Sequence, residues 1–301
     1  MKGLWFAMLP IVASLWFCDV SADEVRVVAS FTVLADMVRQ VGGDRVQVRS
    51  LVGPNGDPHV YEPTPQDAEA LAHANLIVVN GLGLEGWMDR LIHASGSRGT
   101  VVVATTGIRT LQMDQNGSSV PDPHAWNSAA NAVVYAGNIT RALVEADPAH
   151  AADYRAAGIA YVARLQALDQ WAQREIGRVP SARRVVITSH SAFGYLGAAY
   201  GIRFLAPAGV STESEASATT VARLVDQIRR TRIHALFLEN SNDPRLTRQI
   251  AAETGVKLGG TLYPEALSTV DGPAPTYVEM FRHNVETLLC GMQASQGERH
   301  C

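Results

Sequence analysis

Short apolar runs alternate with amphipathic stretches along the first part of the chain. Four runs have the length and composition of strands, at residues 25–30, 45–52, 76–83 and 100–105. Segments 31–43 and 64–74 lie between them and have helical character, with Thr64 as a helix cap before Pro65. Strands that alternate with helices predict a parallel sheet with crossover helices.

The same alternation returns in the last part of the chain. Predicted strands cover residues 183–190, 201–207, 234–240 and 257–267. Predicted helices begin at Ala192 and cover about 218–230, 244–254 and 276–289. The two ends of the chain therefore predict two α/β units of similar size.

Residues 148–179 form a longer helical pattern between these units. After Pro148 the segment has no proline, and it is rich in strong helix formers. As one helix of about 30 residues it would be about 45 Å long. The alternative is two helices that break near Gly158. The predicted fold class is α/β, with two similar lobes of parallel-type sheets flanked by helices and joined by one long rigid backbone helix.

The chain is expected to divide into four segments. These are a signal peptide at 1–22, an N-terminal α/β lobe at 23–147, the linking helix at 148–180 and a C-terminal α/β lobe at 181–301. A single Lys precedes an apolar run of about 14 residues, and small residues before Asp23 resemble a cleavage site. A retained anchor is the alternative, but it needs roughly 20 apolar residues. The bulky Phe17 before Cys18 fits lipoprotein processing poorly, so secretion in soluble form is expected.

Charge and cysteine content narrow the class of partner. The formal net charge is −4 and the 25 Lys and Arg residues are scattered, so no nucleic-acid partner is expected. Beyond residue 23 no apolar run is long enough to cross a membrane. Cys290 and Cys301 would close a small loop in an oxidising compartment, and two free thiols are the alternative.

Three histidines occupy comparable places in the predicted sheets. His59 and His124 each follow an Asp-Pro pair in a loop, and His190 ends a predicted strand. A single loop histidine is usually exposed and without function. Ligands of open α/β sheets bind beyond the strand ends, however, and neutral imidazole is a favoured zinc ligand. Four donors are usual for zinc, so a fourth donor is expected from the C-terminal lobe.

Four segments together resemble the metal-binding solute-binding proteins of ABC importers, in the cluster that serves zinc and manganese. These segments are DPHVYEPTPQD, DPHAWNS, ITSHSAFGYLGAAYGI and LYPEALSTVDGPAPTYVEMFRHN. The resemblance covers nearly the whole mature chain. It implies that one metal ion is held between two lobes joined by a long helix.

The same resemblance implies which residues bind the ion. The three imidazole ligands of the family match His59, His124 and His190. The family usually has an Asp in a run such as LYSDALS, whereas this chain has LYPEALS, which places Glu265 at that position. Glu265 keeps the carboxylate of the family's Asp, on a side chain that is longer by one methylene. Asp271 is the alternative fourth donor.

The resemblance also bears on the metal. Manganese members tend to have a carboxylate where His190 stands, and three imidazoles with one carboxylate suit zinc. Many zinc members carry a His-rich loop between the first two ligands, but residues 110–121 contain no histidine. Glu62 either orients an imidazole or faces solvent. The remaining histidines are expected to be surface or structural residues, namely His73, His93, His150, His234, His283 and His300.

The expected function is a periplasmic zinc-binding protein that captures one Zn²⁺ as the transported ligand and delivers it to an ABC-type membrane permease. A monomer is expected, and a periplasmic metallochaperone is a further candidate partner. Four protein donors leave no open position on zinc, so no enzyme activity is expected. Alternatives are a manganese or other divalent-metal carrier of the same family, a surface adhesin that reuses the fold, and a secreted zinc hydrolase. The hydrolase has no HExxH signature to support it.

Overall fold

The computed structural model describes residues 24–293, apart from 116–117, 210, 214–215, 232 and 234. The predicted signal peptide at 1–22 lies outside the described residues, as do His234, His300 and Cys301. Cys290 is disulfide-bonded. Its pairing with Cys301 stays a prediction.

The first half of the chain folds around a four-stranded parallel sheet. Its elements are β1 Val25–Ala29, α1 Thr32–Gly42, β2 Val46–Ser50, α2 Pro65–Ala72, β3 Leu76–Val79, α3 Met88–Ser95 and β4 Thr100–Val103. The strand order is β2-β1-β3-β4 and every pair is parallel. All four residues of β3 are buried, as expected for a central strand covered on both faces. Thr64 and Asp67 form a capping box at the start of α2.

A hairpin and two long helices follow this sheet. They are β5 Gln112–Gln115, β6 Ser118–Pro121, α4 Ala129–Ala146 and α5 Ala151–Gly177. Helix α5 runs for 27 residues without a break, so the alternative of two helices is wrong. Gly158 allows close helix packing instead, because a Cβ at this position would overlap the Thr140 side chain of α4. The helix was predicted to begin at residue 148, but it begins at Ala151. Pro148–His150 form a 3-10 turn before it.

Helix α4 and the hairpin of β5 and β6 were not predicted from the sequence. Helix α4 has 18 residues, and Ser128 caps it by accepting a hydrogen bond from the Asn131 amide. Its buried face includes Tyr135 and Ile139. The apolar spacing after Ser128 was a usable signal. The helix matters for the site, because its first turn directly follows the loop that carries His124.

The second half repeats the parallel arrangement. Its elements are β7 Val185–Ile187, α6 Gly194–Tyr200, β8 Arg203–Leu205, α7 Ala218–Arg230, β9 Ala235–Glu239, α8 Arg245–Thr254, β10 Lys257–Leu262 and α9 Tyr277–Gln293. The strand order is β10-β9-β7-β8, again with parallel pairs. The strand predicted at 257–267 ends at Leu262, because Pro264 has no amide to donate to a ladder. Residues 263–267 form the loop that carries Glu265.

Helix α5 packs against α1 and α4 of the first half and against α9 of the second. The larger apolar core contains residues of both halves, with Phe31 against Trp126 at a ring-centroid distance of 4.9 Å, and a smaller separate core in the second half contains Leu236 and Ile250. The α/β fold with two parallel sheets and one long helix is confirmed. Among the helices that the structure describes, none is long and apolar enough to cross a membrane.

Candidate metal site

Four side chains converge at the carboxyl ends of the two sheets. His59 lies in the loop after β2, and His124 lies directly before a short 3-10 turn at Ala125–Asn127. His190 follows β7 by three residues, and Glu265 follows β10 by three residues. Two donors precede helix α5 in the chain and two follow it. The structure therefore brings together the four residues that the sequence singled out.

One carboxylate oxygen lies close to all three imidazoles. Glu265 Oε1 is 2.8 Å from Nε2 of His59, 3.0 Å from Nε2 of His190 and 3.3 Å from Nε2 of His124. The Nε2 atoms of His59 and His124 are 3.2 Å apart. Donors at about 2.0–2.1 Å from one tetrahedral metal are separated by roughly 3.3 Å. These spacings match one metal shell with three nitrogens and one oxygen.

The cluster is removed from water. The exposed fractions are 6% for His59, 0% for His124, 1% for His190 and 0% for Glu265. Asp271, the alternative fourth donor, is exposed on a turn and is not part of the cluster. A buried set of polar donors needs partners or a bound ion to offset its desolvation.

His124 is oriented by its neighbour in the Asp-Pro-His motif. Asp122 Oδ1 lies 2.9 Å from His124 Nδ1 and also accepts the His124 backbone amide at 3.0 Å. A carboxylate partner places the ring proton on Nδ1, which leaves the Nε2 lone pair for a metal. Asp122 is completely buried. Gly194 at the start of α6 allows this packing, because a Cβ there would collide with Asp122 Oδ2.

His190 has a carboxylate partner of its own. Glu239, the last residue of β9, places Oε2 2.7 Å from His190 Nδ1. Glu239 Oε1 accepts the backbone amide of Ser189 at 2.8 Å, which fixes the carboxylate against the end of β7. The arrangement again directs Nε2 at the centre of the cluster. Glu239 was not identified from the sequence, because 49 residues separate it from His190.

The His59 loop is held from both halves of the molecule. Asp57 Oδ1 accepts the His59 amide at 2.8 Å, and Asp57 Oδ2 accepts a hydrogen bond from Thr212 at 2.6 Å. Trp87 Nε1 donates to Pro58 O at 2.8 Å. Glu62 is exposed, so of the two roles considered for it, the structure places it in solvent.

Further hydrogen bonds join the loop of Glu265 to that of His124. Trp126 Nε1 and Asn127 Nδ2 both donate to Pro264 O, at 2.8 and 3.0 Å. Tyr195 of α6 donates to Asp122 O at 3.1 Å. The position of Glu265 therefore depends on how the second half sits against the first.

The other described histidines lie away from the cluster. His73 and His93 are exposed. His150 pairs with Asp147 at 2.7 Å, and His283 lies 2.9 Å from Thr261 O. Both positions are consistent with structural roles.

Charges within the cluster shift the pKa of its members. Burial alone lowers the pKa of His190, but the charges of Glu239 and Glu265 outweigh it and raise the net pKa well above 6.5. His124 follows the same pattern, with hydrogen bonds to Asp122 and Glu265 raising its pKa against the effect of burial. Burial raises the pKa of Glu265, yet the charge of His190 and hydrogen bonds from the three histidines hold it well below 4.5.

These shifts predict that metal affinity falls as pH falls. A metal binds deprotonated Nε2, so it competes with the protons that the raised pKa values of His124 and His190 favour. Each displaced proton weakens apparent affinity by about tenfold per pH unit below the pKa. Competition titrations between about pH 5 and 8 measure this slope. An affinity that is independent of pH would contradict protonation of the imidazoles in the empty site.

Removal of an orienting carboxylate is expected to weaken metal binding by about 10–100-fold. Asp122→Asn and Glu239→Gln keep the side-chain shape but remove the charge that holds Nδ1 of His124 or His190. Equilibrium competition with a chromophoric chelator measures the loss. Glu62→Gln is the matched control, since its exposed carboxylate follows His59 by only three residues. Equal affinities for all three variants would rule out the orienting role.

This chain is similar to known metal-binding proteins. Residues 27–290 match the family described as ZnuA, the periplasmic component A of the zinc-uptake complex. Iron-binding protein YfeA of Yersinia pestis is 35% identical over 272 residues, which cover 90% of this chain and 87% of YfeA. Manganese-binding lipoprotein MntA of Halalkalibacterium halodurans is 31% identical over 301 residues, which cover 97% of this chain and 99% of MntA.

A solved structure extends the likeness to the fold. The periplasmic zinc-binding protein TroA from Treponema pallidum aligns with a TM-score of 0.85 and 29% identity, covering 89% of this chain and 99% of TroA. The names of these relatives specify iron, manganese and zinc, so the likeness establishes metal binding without a particular metal. The predicted family is confirmed. This chain belongs to the ZnuA family, the metal-binding solute-binding proteins of ABC transporters, which act in metal uptake and are not enzymes.

Proposed function

We propose that this protein captures one Zn²⁺ ion between its two halves and delivers it to an ABC-type permease for high-affinity import. The observation that carries the proposal is the donor set, in which three imidazole nitrogens and one carboxylate oxygen lie within 3.3 Å of a neighbouring donor. His59, His124, His190 and Glu265 are the proposed ligands. The ion is the cargo of the protein.

Zinc is favoured by the chemistry of these donors. Imidazole suits zinc, whereas manganese is better matched by carboxylate, carbonyl and water oxygens. Donor spacings close to a tetrahedral edge also favour zinc over ions that need six ligands. Manganese or iron is the alternative cargo, supported by the names of two relatives.

Four protein donors support tight capture and argue against hydrolysis. A catalytic zinc keeps one position open for water, and in the proposed shell Glu265 Oε1 would fill that position. Release therefore requires that the shell is disrupted. His59 and His124 belong to the first half and His190 and Glu265 to the second, so a shift between the halves on docking to the permease would separate them.

The proposed setting is the periplasm, reached by means of the signal peptide at 1–22. The protein is proposed to act as a monomer, and a periplasmic metallochaperone is a candidate donor of the ion. The family's periplasmic description supports the location.

The test combines metal content with transport. Protein purified from the periplasm without added metal is expected to carry one zinc per chain by elemental analysis. A host strain that lacks the protein is expected to need extra zinc, and not manganese or iron, to grow in chelator-limited medium. Zinc binds most sites more tightly than manganese or iron, so the growth test is the more decisive of the two. Recovery of growth by manganese or iron alone would contradict zinc as the cargo.

A further inference from the structure

The two carboxylate oxygens of Glu265 have different surroundings. Oε1 faces the imidazoles, at 2.8–3.3 Å from the three Nε2 atoms. Oε2 accepts a hydrogen bond from the Ser241 hydroxyl at 3.2 Å. The side chain of Glu265 is completely buried, whereas Ser241 is half-buried.

The pairing of β9 with β10 fixes the position of Ser241. Ser241 follows β9 by two residues, and β9 pairs with β10, whose end leads to Glu265. The Asn240 amide donates to Leu262 O at 3.0 Å, and Asn240 Nδ2 lies 3.3 Å from Ala266 O. These bonds hold the segment with Ser241 beside the loop with Glu265.

The hydrogen bond to Oε2 limits how many oxygens Glu265 offers to a metal. With Oε2 held by Ser241, the site presents three nitrogens and one oxygen, which suits tetrahedral zinc. If Oε2 also turned towards the metal, the site would have five donors, two of them oxygens. More donors and more oxygens favour larger or harder ions such as Mn²⁺.

We propose that Ser241 determines metal specificity by holding Glu265 Oε2, so that Glu265 binds the ion through one oxygen. This inference rests on the proposed capture of metal at the same site. Ser241 does not bind the metal; it positions the ligand. Its hydroxyl acts against a competing coordination mode that would accept manganese more readily.

Ser241→Ala is the direct test. Without the hydroxyl, Oε2 loses the donor that the structure gives it, which favours coordination of Oε2 to the metal. The ratio of zinc affinity to manganese affinity is expected to fall by about tenfold, because hydrogen bonds to charged groups have energies of that order. X-ray absorption on the zinc-loaded and manganese-loaded full chain is expected to show one additional oxygen ligand.

Two variants serve as controls. Ser241→Thr keeps the hydroxyl and is expected to retain the wild-type affinity ratio and donor number. Thr247→Val removes a buried hydroxyl that lies 3.1 Å from Ser189 Oγ and makes no contact with Glu265, and this variant is also expected to leave both unchanged.

The outcomes separate this inference from the proposed function. Wild-type protein that binds zinc through four donors, together with an unchanged ratio and donor number in Ser241→Ala, overturns the role of Ser241 alone. A wild-type chain that takes up no zinc overturns both. An equal fall of the ratio in Thr247→Val and in Ser241→Ala would also overturn the inference, because the effect would not depend on the contact with Glu265.

Discussion

Glu265→Ala is expected to weaken zinc binding by at least about a hundredfold, and to accelerate zinc release. Loss of an outer hydrogen bond to a ligand usually costs 10–100-fold in affinity, and this variant removes a ligand itself. Glu265 Oε1 also lies within 3.3 Å of all three Nε2 atoms, so without it the three imidazoles lose the anion that they share. Competition titration gives the affinity, and stopped-flow transfer of zinc to a chelator gives the release rate.

Asp271→Ala is the matched control for this variant. Asp271 lies six residues further along the chain and was the alternative fourth donor from the sequence, but it is exposed and outside the cluster. Its replacement is expected to leave zinc affinity unchanged. If Asp271→Ala weakened zinc binding and Glu265→Ala did not, Asp271 would be the ligand from the second half.

Zinc removal is expected to lower the thermal midpoint of unfolding by about 5–10 °C. Free zinc at 100 times the dissociation constant stabilises the folded state by about 2.7 kcal/mol, since the assembled site exists only in that state. One kcal/mol corresponds to about 2–4 °C for chains of roughly this size. The ligands come from both halves, so the ion links segments on either side of α5. Scanning calorimetry with chelator and then with buffered zinc measures the shift.

The same experiment on Glu265→Ala gives the control for this second prediction. That variant should show little zinc-dependent shift at the zinc concentration that saturates the wild type. Exposed Glu62→Gln should show the full shift. A wild-type midpoint that does not respond to zinc would mean that zinc does not bind preferentially to the folded chain.

Much of the fold could be predicted, because periodicity and capping act over short stretches of sequence. Both parallel sheets and the long helix α5 followed from alternation and helix propensity. Errors arose where packing decided the outcome. A break near Gly158 had been left open as the alternative to one helix, but this glycine marks close contact with α4, a helix that was not predicted. Pro264 ended β10 earlier than the apolar pattern suggested.

The metal site, like the fold, could be predicted from the sequence only in part. The motifs around His59, His124, His190 and Glu265 were visible, but only the tertiary structure places their donor atoms within 4.8 Å of each other. Asp122 lay within a quoted motif and was given no role. Its contact with His124 Nδ1 depends on the turn geometry of the motif.

Glu239 and Ser241 were beyond the reach of sequence reasoning for a different reason. They act through contacts across strand ends, with His190 and Glu265 respectively. Such contacts are set by strand order, which local sequence patterns do not specify. The sheet places β9 between β7 and β10, and that order brings both residues to the site.

Anomalous diffraction from zinc-loaded crystals tests the central claim most directly. One zinc peak is expected, at about 2.0–2.2 Å from Nε2 of each of the three histidines and from one oxygen of Glu265. Data collected on both sides of the zinc absorption edge assign the peak to zinc. A peak elsewhere in the molecule, or zinc bound to only one half of the cluster, would contradict capture between the two halves.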